Sequence, residues 1–121
     1  MAYNFAINHV VQARSLTASF NGPPIECMNQ DNIGLQLNWT GAPVGTFGAQ
    51  VSNDHAQDAQ GNVTVAGNWI SLPLNPMIAA SGSPDSAYID LNQLGAAYVR
   101  VTYTATSGTG TVDCFVTEKA V

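Results

Sequence analysis

Charge is scarce in this 121-residue chain: Lys and Arg number 3, Asp and Glu 8, and charged residues make up 9% of the whole, against about 25% in ordinary soluble proteins. The three basic residues, Arg14, Arg100 and Lys119, leave a net charge of −5. That balance excludes nucleic-acid binding, which needs clustered Lys and Arg to neutralise phosphates. No apolar run approaches the roughly 20 residues that span a bilayer as a helix. The amino end lacks a basic stretch followed by an apolar one, so no secretory signal is expected. Cysteine is scarce as well. Cys27 and Cys114 are the only two, and both fall in apolar alternating segments. Two buried thiols are the expected state, with a Cys27–Cys114 disulfide as the alternative. A soft-metal site would need further ligands, and no CxxC or neighbouring His supplies them.

What remains is strand-forming. Tyr98, Arg100, Thr102 and Thr104 alternate with Val99, Val101, Tyr103 and Ala105, a period of two that suits only a strand. Ser107-Gly108-Thr109-Gly110 interrupts with turn-forming residues, and Val112, Cys114 and Val116 then alternate with Asp113, Phe115 and Thr117. The pattern predicts a closing β-hairpin over Ala96–Lys119. Upstream, Leu16–Phe20, Ile25–Met28, Ile33–Trp39, Gly45–Ser52, Val63–Ala66, Trp69–Leu74 and Tyr88–Leu91 read as shorter strands. Between them stand the breaks Asn21-Gly22-Pro23-Pro24, Gly41-Ala42-Pro43 and Asn92–Gly95. Asn75–Asp85 reads as a loop with room for one helical turn at Met77–Ala80. About eight short strands, with turn signals every 8–12 residues, predict one all-β domain, an antiparallel β-sandwich or jelly roll. Residues 1–14 read as a short strand or as an extended arm laid on a neighbour, which places the sandwich domain at 15–121. Tyr3, Phe5 and Ile7 are the residues such an arm would offer to an interface.

Few residues could carry chemistry. Asp54, His55 and Asp58 form the one His–carboxylate cluster, in a polar loop (Asn53–Asn62) without a hydrophobic anchor. Two carboxylates and an imidazole can hold a metal, but a solvated loop tip is the expected reading. His9 stands alone, expected exposed or at an interface. No serine lies in a GxSxG elbow, and no glycine-rich phosphate loop is followed by a helix and Lys. Asp85 and Asp90 flank a strand without the marks of a glycosidase pair. Asn38-Trp39-Thr40 and Asn62-Val63-Thr64 match the glycosylation sequon and are expected to be accidental. Neither an enzyme nor a cofactor is indicated. Trp39, Trp69, Tyr88, Tyr98 and Tyr103 either fill the core or form a platform for a sugar. Arg100, on the strand face opposite Val99 and Val101, is expected to pair with Asp90 or Asp113, or to stand with Arg14 at a subunit interface, where Arg is enriched.

Several pieces in order resemble a known group: Gly45-Thr46-Phe47-Gly48-Ala49-Gln50-Val51-Ser52-Asn53-Asp54, Asn68-Trp69-Ile70-Ser71-Leu72, Ala97-Tyr98-Val99-Arg100-Val101-Thr102-Tyr103-Thr104-Ala105, and Ser107-Gly108-Thr109-Gly110-Thr111. From Ile33 to Lys119 the chain is similar to small β-sandwich proteins encoded in the structural-gene modules of tailed bacteriophages. The resemblance implies a minor virion protein, foremost a capsid decoration (cement) protein on the capsid surface, made in the host cytoplasm. Its implied partners are the major capsid protein and copies of itself, as a trimer; the arm would cross the subunit boundary. A head–tail or tail component is the neighbouring reading. The Asn-Asp, Trp-x-x-Leu and Tyr-Val-Arg-Val pieces also resemble the core strands of discoidin-type, galactose-binding-like jelly rolls, which implies a carbohydrate-binding module as the alternative. A co-planar exposed aromatic pair beside Asp and Asn would mark that alternative.

Overall fold

A computed structural model describes residues 5–27, 32–74, 78–92 and 96–119. They form ten strands: β1 (Phe5–Ser15), β2 (Phe20–Asn21), β3 (Ile25–Glu26), β4 (Asn32–Ser52), β5 (Ala56–Gln57), β6 (Val63–Val65), β7 (Ile70–Ser71), β8 (Ile78–Ser81), β9 (Asp85–Asn92) and β10 (Tyr98–Lys119). No helix occurs among the described residues. Eight strands join one antiparallel sheet, and β5 and β6 make a second small one. The expected all-β antiparallel sandwich is the observed architecture.

Its construction differs from eight short strands. Strands β4 and β10, 21 and 22 residues long, pair with each other from Tyr98↔Ser52 to Lys119↔Asn32. Ser107–Gly110 is therefore not a hairpin turn. It lies opposite Val44–Gly41, the other expected turn, and β10 continues through it. Both strands bend there together. Gly41 and Gly108 have φ of 80° and 83°, a region L-residues avoid, and a Cβ on Gly108 would strike the Ala42 carbonyl oxygen. The breaks look like turns because they need the same glycine chemistry; here it serves a corner where two strands pass from one layer to the other. One layer consists of β1, the second half of β10, the first half of β4, and β9. The other consists of β2 and β3, the first half of β10, the second half of β4, and β7 with β8.

A bulge keeps the core continuous. Ala105 faces Gly45 but Ser107 faces Val44, so Thr106 is an extra residue on β10. Side-chain direction alternates strictly, so one inserted residue reverses it. Inward residues of β10 are accordingly Val99, Val101 and Tyr103 before the bulge, and Val112, Cys114 and Val116 after it. On β4 the inward set stays odd: Ile33, Leu35, Leu37 and Trp39, then Phe47 and Ala49. Trp39 meets Phe47 across the corner at 4.9 Å between ring centroids, and Phe47 meets Tyr103 at 4.7 Å.

Two further expectations are corrected. Of the two readings of residues 1–14, the strand replaces the arm from Phe5 onward: β1 is paired antiparallel along β10 from Phe5↔Lys119 to Ser15↔Thr111, with register shifts after His9 and after Val11. The apolar arm needs a surface, and its own chain's β10 supplies one. The expected helical turn at Met77–Ala80 is strand β8 from Ile78, paired with Val44–Phe47; Met77 lies outside the described residues.

Candidate functional site

Between β4 and β7 the chain leaves the sheet and returns, over residues 53–69. Asn53 and Asp54 fix the exit. The Asn53 Oδ1 accepts from the Ala97 amide at 2.8 Å. Asp54 Oδ1 accepts from the Ser52 hydroxyl (2.9 Å) and the Asn68 amide (2.8 Å), and its Oδ2 from the Asn68 side chain (3.0 Å). The Asn68 amide first, then the Ser52 hydroxyl, hold the Asp54 carboxyl below its ordinary value. Gly67, at φ 72°, lets the returning chain pass against Asp54 and His55, where a Cβ would lie 2.6 Å from the His55 nitrogen. At the far end Asp58 closes the β5–β6 turn. Its Oδ1 accepts from the amides of Gln60 and Asn62, both at 2.9 Å, which likewise lowers its carboxyl, Asn62 foremost.

His55 is the anchor that the sequence does not reveal. It is 6% exposed, which corrects the expectation of a solvated, unanchored loop tip. Its Nδ1 lies 2.9 Å from the Ala66 carbonyl oxygen. A carbonyl only accepts, so Nδ1 carries the proton. Its Nε2 lies 3.1 Å from the side-chain nitrogen of Gln57, so both ring nitrogens have partners. Its ring packs edge-on against Tyr98 (centroids 4.9 Å apart, 81°) and tilted against Trp69 (5.2 Å, 53°). With both nitrogens and the two carboxylates so engaged, Asp54, His55 and Asp58 work as struts of the excursion. No cluster of three or more metal-ligating side chains is found among the described residues.

Arg100 continues the stack. Its guanidinium lies 4.2 Å above the Trp69 ring, and its Nε and Nη2 donate to Gln50 Oε1 at 2.9 and 2.7 Å. Gln50 in turn donates to the Ser71 hydroxyl at 3.3 Å. The expected pairing with Asp90 or Asp113 is thus replaced by Gln50, directly opposite on β4. Asp113 instead accepts from the Ala13 amide at 2.9 Å and pairs with His9 at 3.0 Å. His9 is exposed, as expected, and stacks on Phe115 at 4.3 Å. Arg14, exposed, lies 4.7 Å over Phe20. Tyr3 lies outside the described residues, as do the side chains of Phe5 and Ile7. Partial burial draws the Arg100 guanidinium below its ordinary value.

The aromatics do not assemble a platform. Trp39, Tyr98 and Tyr103 are buried, and Trp39 donates to the Ser83 carbonyl at 3.1 Å. Trp69 has Asn68 and Asp54 nearby, but His55 and Arg100 occupy its ring. Tyr88 is 58% exposed and leans over Gly34. No co-planar exposed pair stands beside Asp and Asn among the described residues. Cys27 and Cys114 are free, buried thiols; burial pushes them up to about 11 and about 12. Three large aliphatic side chains of the described residues face solvent among the polar ones. Val63, Val65 and Ile70 are 56%, 53% and 67% exposed, and Ile70 borders an open cleft of about 340 Å³ lined also by Val51, Ser52, Asn53, Asp54, Asn68 and Ala96.

No protein-family model and no curated protein matches the chain. Among solved structures, the SPBc2 prophage-derived protein YomS is similar over 97% of this chain and 96% of its own, at 13% identity and a TM-score of 0.53. A chain from the structure of infectious bursal disease virus, Gx strain, is similar over 98% of this chain at 7% identity and a TM-score of 0.51; this chain spans 32% of that one. At these identities the likeness is one of fold.

Proposed function

We propose that this chain is a structural virion protein of a tailed bacteriophage: a decoration subunit bound to the major capsid protein and to copies of itself as a trimer, on the outside of the head. One observation carries the reading. The excursion and its return present Val63, Val65 and Ile70 to solvent on a molecule with 9% charged residues. Large apolar side chains left exposed on one excursion and its return strand mark a surface that another molecule covers. The polar groups that could have been catalytic are committed to holding that excursion in place. Sharing a fold with a prophage-derived protein and with part of a virus structure supports a virion setting.

The test is co-purification with intact particles and a copy count. A decoration subunit bands with the heads in numbers comparable to the major capsid protein. A handful of copies per particle assigns it to the neck or tail, and absence from particles sinks the reading.

A further inference from the structure

The two outer faces of the sandwich are unlike. Strand pairing puts Arg100, Gln50 and Ser71 in one row across the outer face of the layer built from β7 and β8, next to Thr102, Thr104, Thr46 and Gly48. Arg100 is the one basic residue of these rows, and its head group is held in advance by Trp69 and Gln50. No carboxylate lies within ion-pair distance of it among the described residues; Glu26 stands opposite Tyr98, one row away. The outer face of the other layer carries the complement. There Tyr88 and Asp90 project from β9 beside Gln36 and Gly34. Asp90 is exposed, and Tyr88 is the large exposed aromatic of the described residues. Asp113, the second carboxylate of that face, is already taken by His9 and Ala13.

We infer that copies of this chain stack head to tail, the Tyr88–Asp90 face of one on the Arg100–Gln50 face of the next, with Asp90 received by the fixed guanidinium of Arg100. A second copy suits the site because it brings a carboxylate with no partner among the described residues and an aromatic to lie on an uncharged face of Thr and Gly. A guanidinium already oriented by stacking loses little freedom on pairing. The contact uses two different surfaces on opposite sides of the sandwich, so it is heterologous and repeats from copy to copy as a stack. The inference rests on the decoration reading only in taking copies to meet one another.

Sedimentation velocity on the purified full chain over a concentration series tests it. The parent self-associates. Arg100→Glu and Asp90→Arg each weaken association at least about tenfold, while circular dichroism shows both folded. An equimolar mixture of the two variants associates again, because each supplies the group the other lacks, and so does the double variant. Lys119→Glu makes the same change in net charge as Arg100→Glu and leaves association intact. A parent that stays monomeric, a mixture that stays dissociated, or an equal loss in Lys119→Glu overturns the inference. A monomer that still bands with particles would overturn this contact and leave the decoration reading standing.

Discussion

At the scale of single residues, the side chains that looked most like chemistry turn out to be fasteners, and the least comfortable one is a tyrosine in the core. The Tyr103 ring crosses Gly45, and its hydroxyl is buried with no partner among the described residues. A buried, unmatched hydroxyl costs about 1–3 kcal/mol. Tyr103→Phe keeps the ring contacts with Phe20 and Phe47 and removes only that oxygen, so it should stabilise the fold by about 1 kcal/mol. Urea denaturation reads the change, and a destabilised variant would mean that the hydroxyl has a partner after all. Asp54 behaves oppositely. Its native carboxyl is held low by Asn68 and Ser52. The stability it supplies is therefore present above the unfolded value of about 3.9 and is lost as pH falls through the lower native value. Asp54→Asn should flatten the acid side of the melting curve below about pH 4. An unchanged acid slope would remove Asp54 from that role. His55 shows the limit of reading residues one by one: nothing in Asn53–Asn62 marks it as buried, because Trp69 and Tyr98, which cover it, come 14 and 43 positions later.

Elements were legible in type and not in extent. Alternation in Ile33–Trp39, Gly45–Ser52 and Tyr98–Thr117 identifies strands and their inward sides. It does not show that the breaks at Gly41–Pro43 and Ser107–Gly110 lie opposite each other, since a turn and a corner ask for the same small residues with positive φ. A faint signal was present: the inward parity is odd on both sides of the break in β4 but changes from odd to even in β10. That is what one bulged residue does within a continuous strand. β1 was ambiguous for a related reason, its pairing with β10 being interrupted by register shifts after His9 and after Val11. Its role can be tested directly. Removing residues 1–14 would expose the β10 edge from Val112, the partner of Arg14, to Lys119 and delete Val11, a core residue that is 5% exposed. The truncated chain should lose cooperative thermal unfolding or melt well below the parent, because a lost buried aliphatic alone costs about 2–4 kcal/mol. A truncation with the parent's melting temperature would return this segment to the status of a detachable arm.

For the whole molecule, the sparse charge and the exposed aliphatics make one prediction together. Strand β6, opposite β5 in a two-stranded sheet, keeps Val63 and Val65 outside, and Ile70 begins the return strand β7. None of the three supports the core, so Val63→Ser, Val65→Ser and Ile70→Ser combined should move the melting temperature little. Surface changes of this kind are usually within about 0.5 kcal/mol each. The same triple variant should fail to band with particles, since it removes the apolar contact on which shell attachment is proposed to rest. Attachment of the parent should also tolerate added salt, because screening acts on charges and this surface has few. Salt-labile attachment, or a triple variant that still binds, would move the shell contact away from the excursion and toward the faces that carry Arg100 and Asp90. The two surfaces are thus separable: loss of particle binding with self-association intact points to the excursion, and the reverse points to the sheet faces.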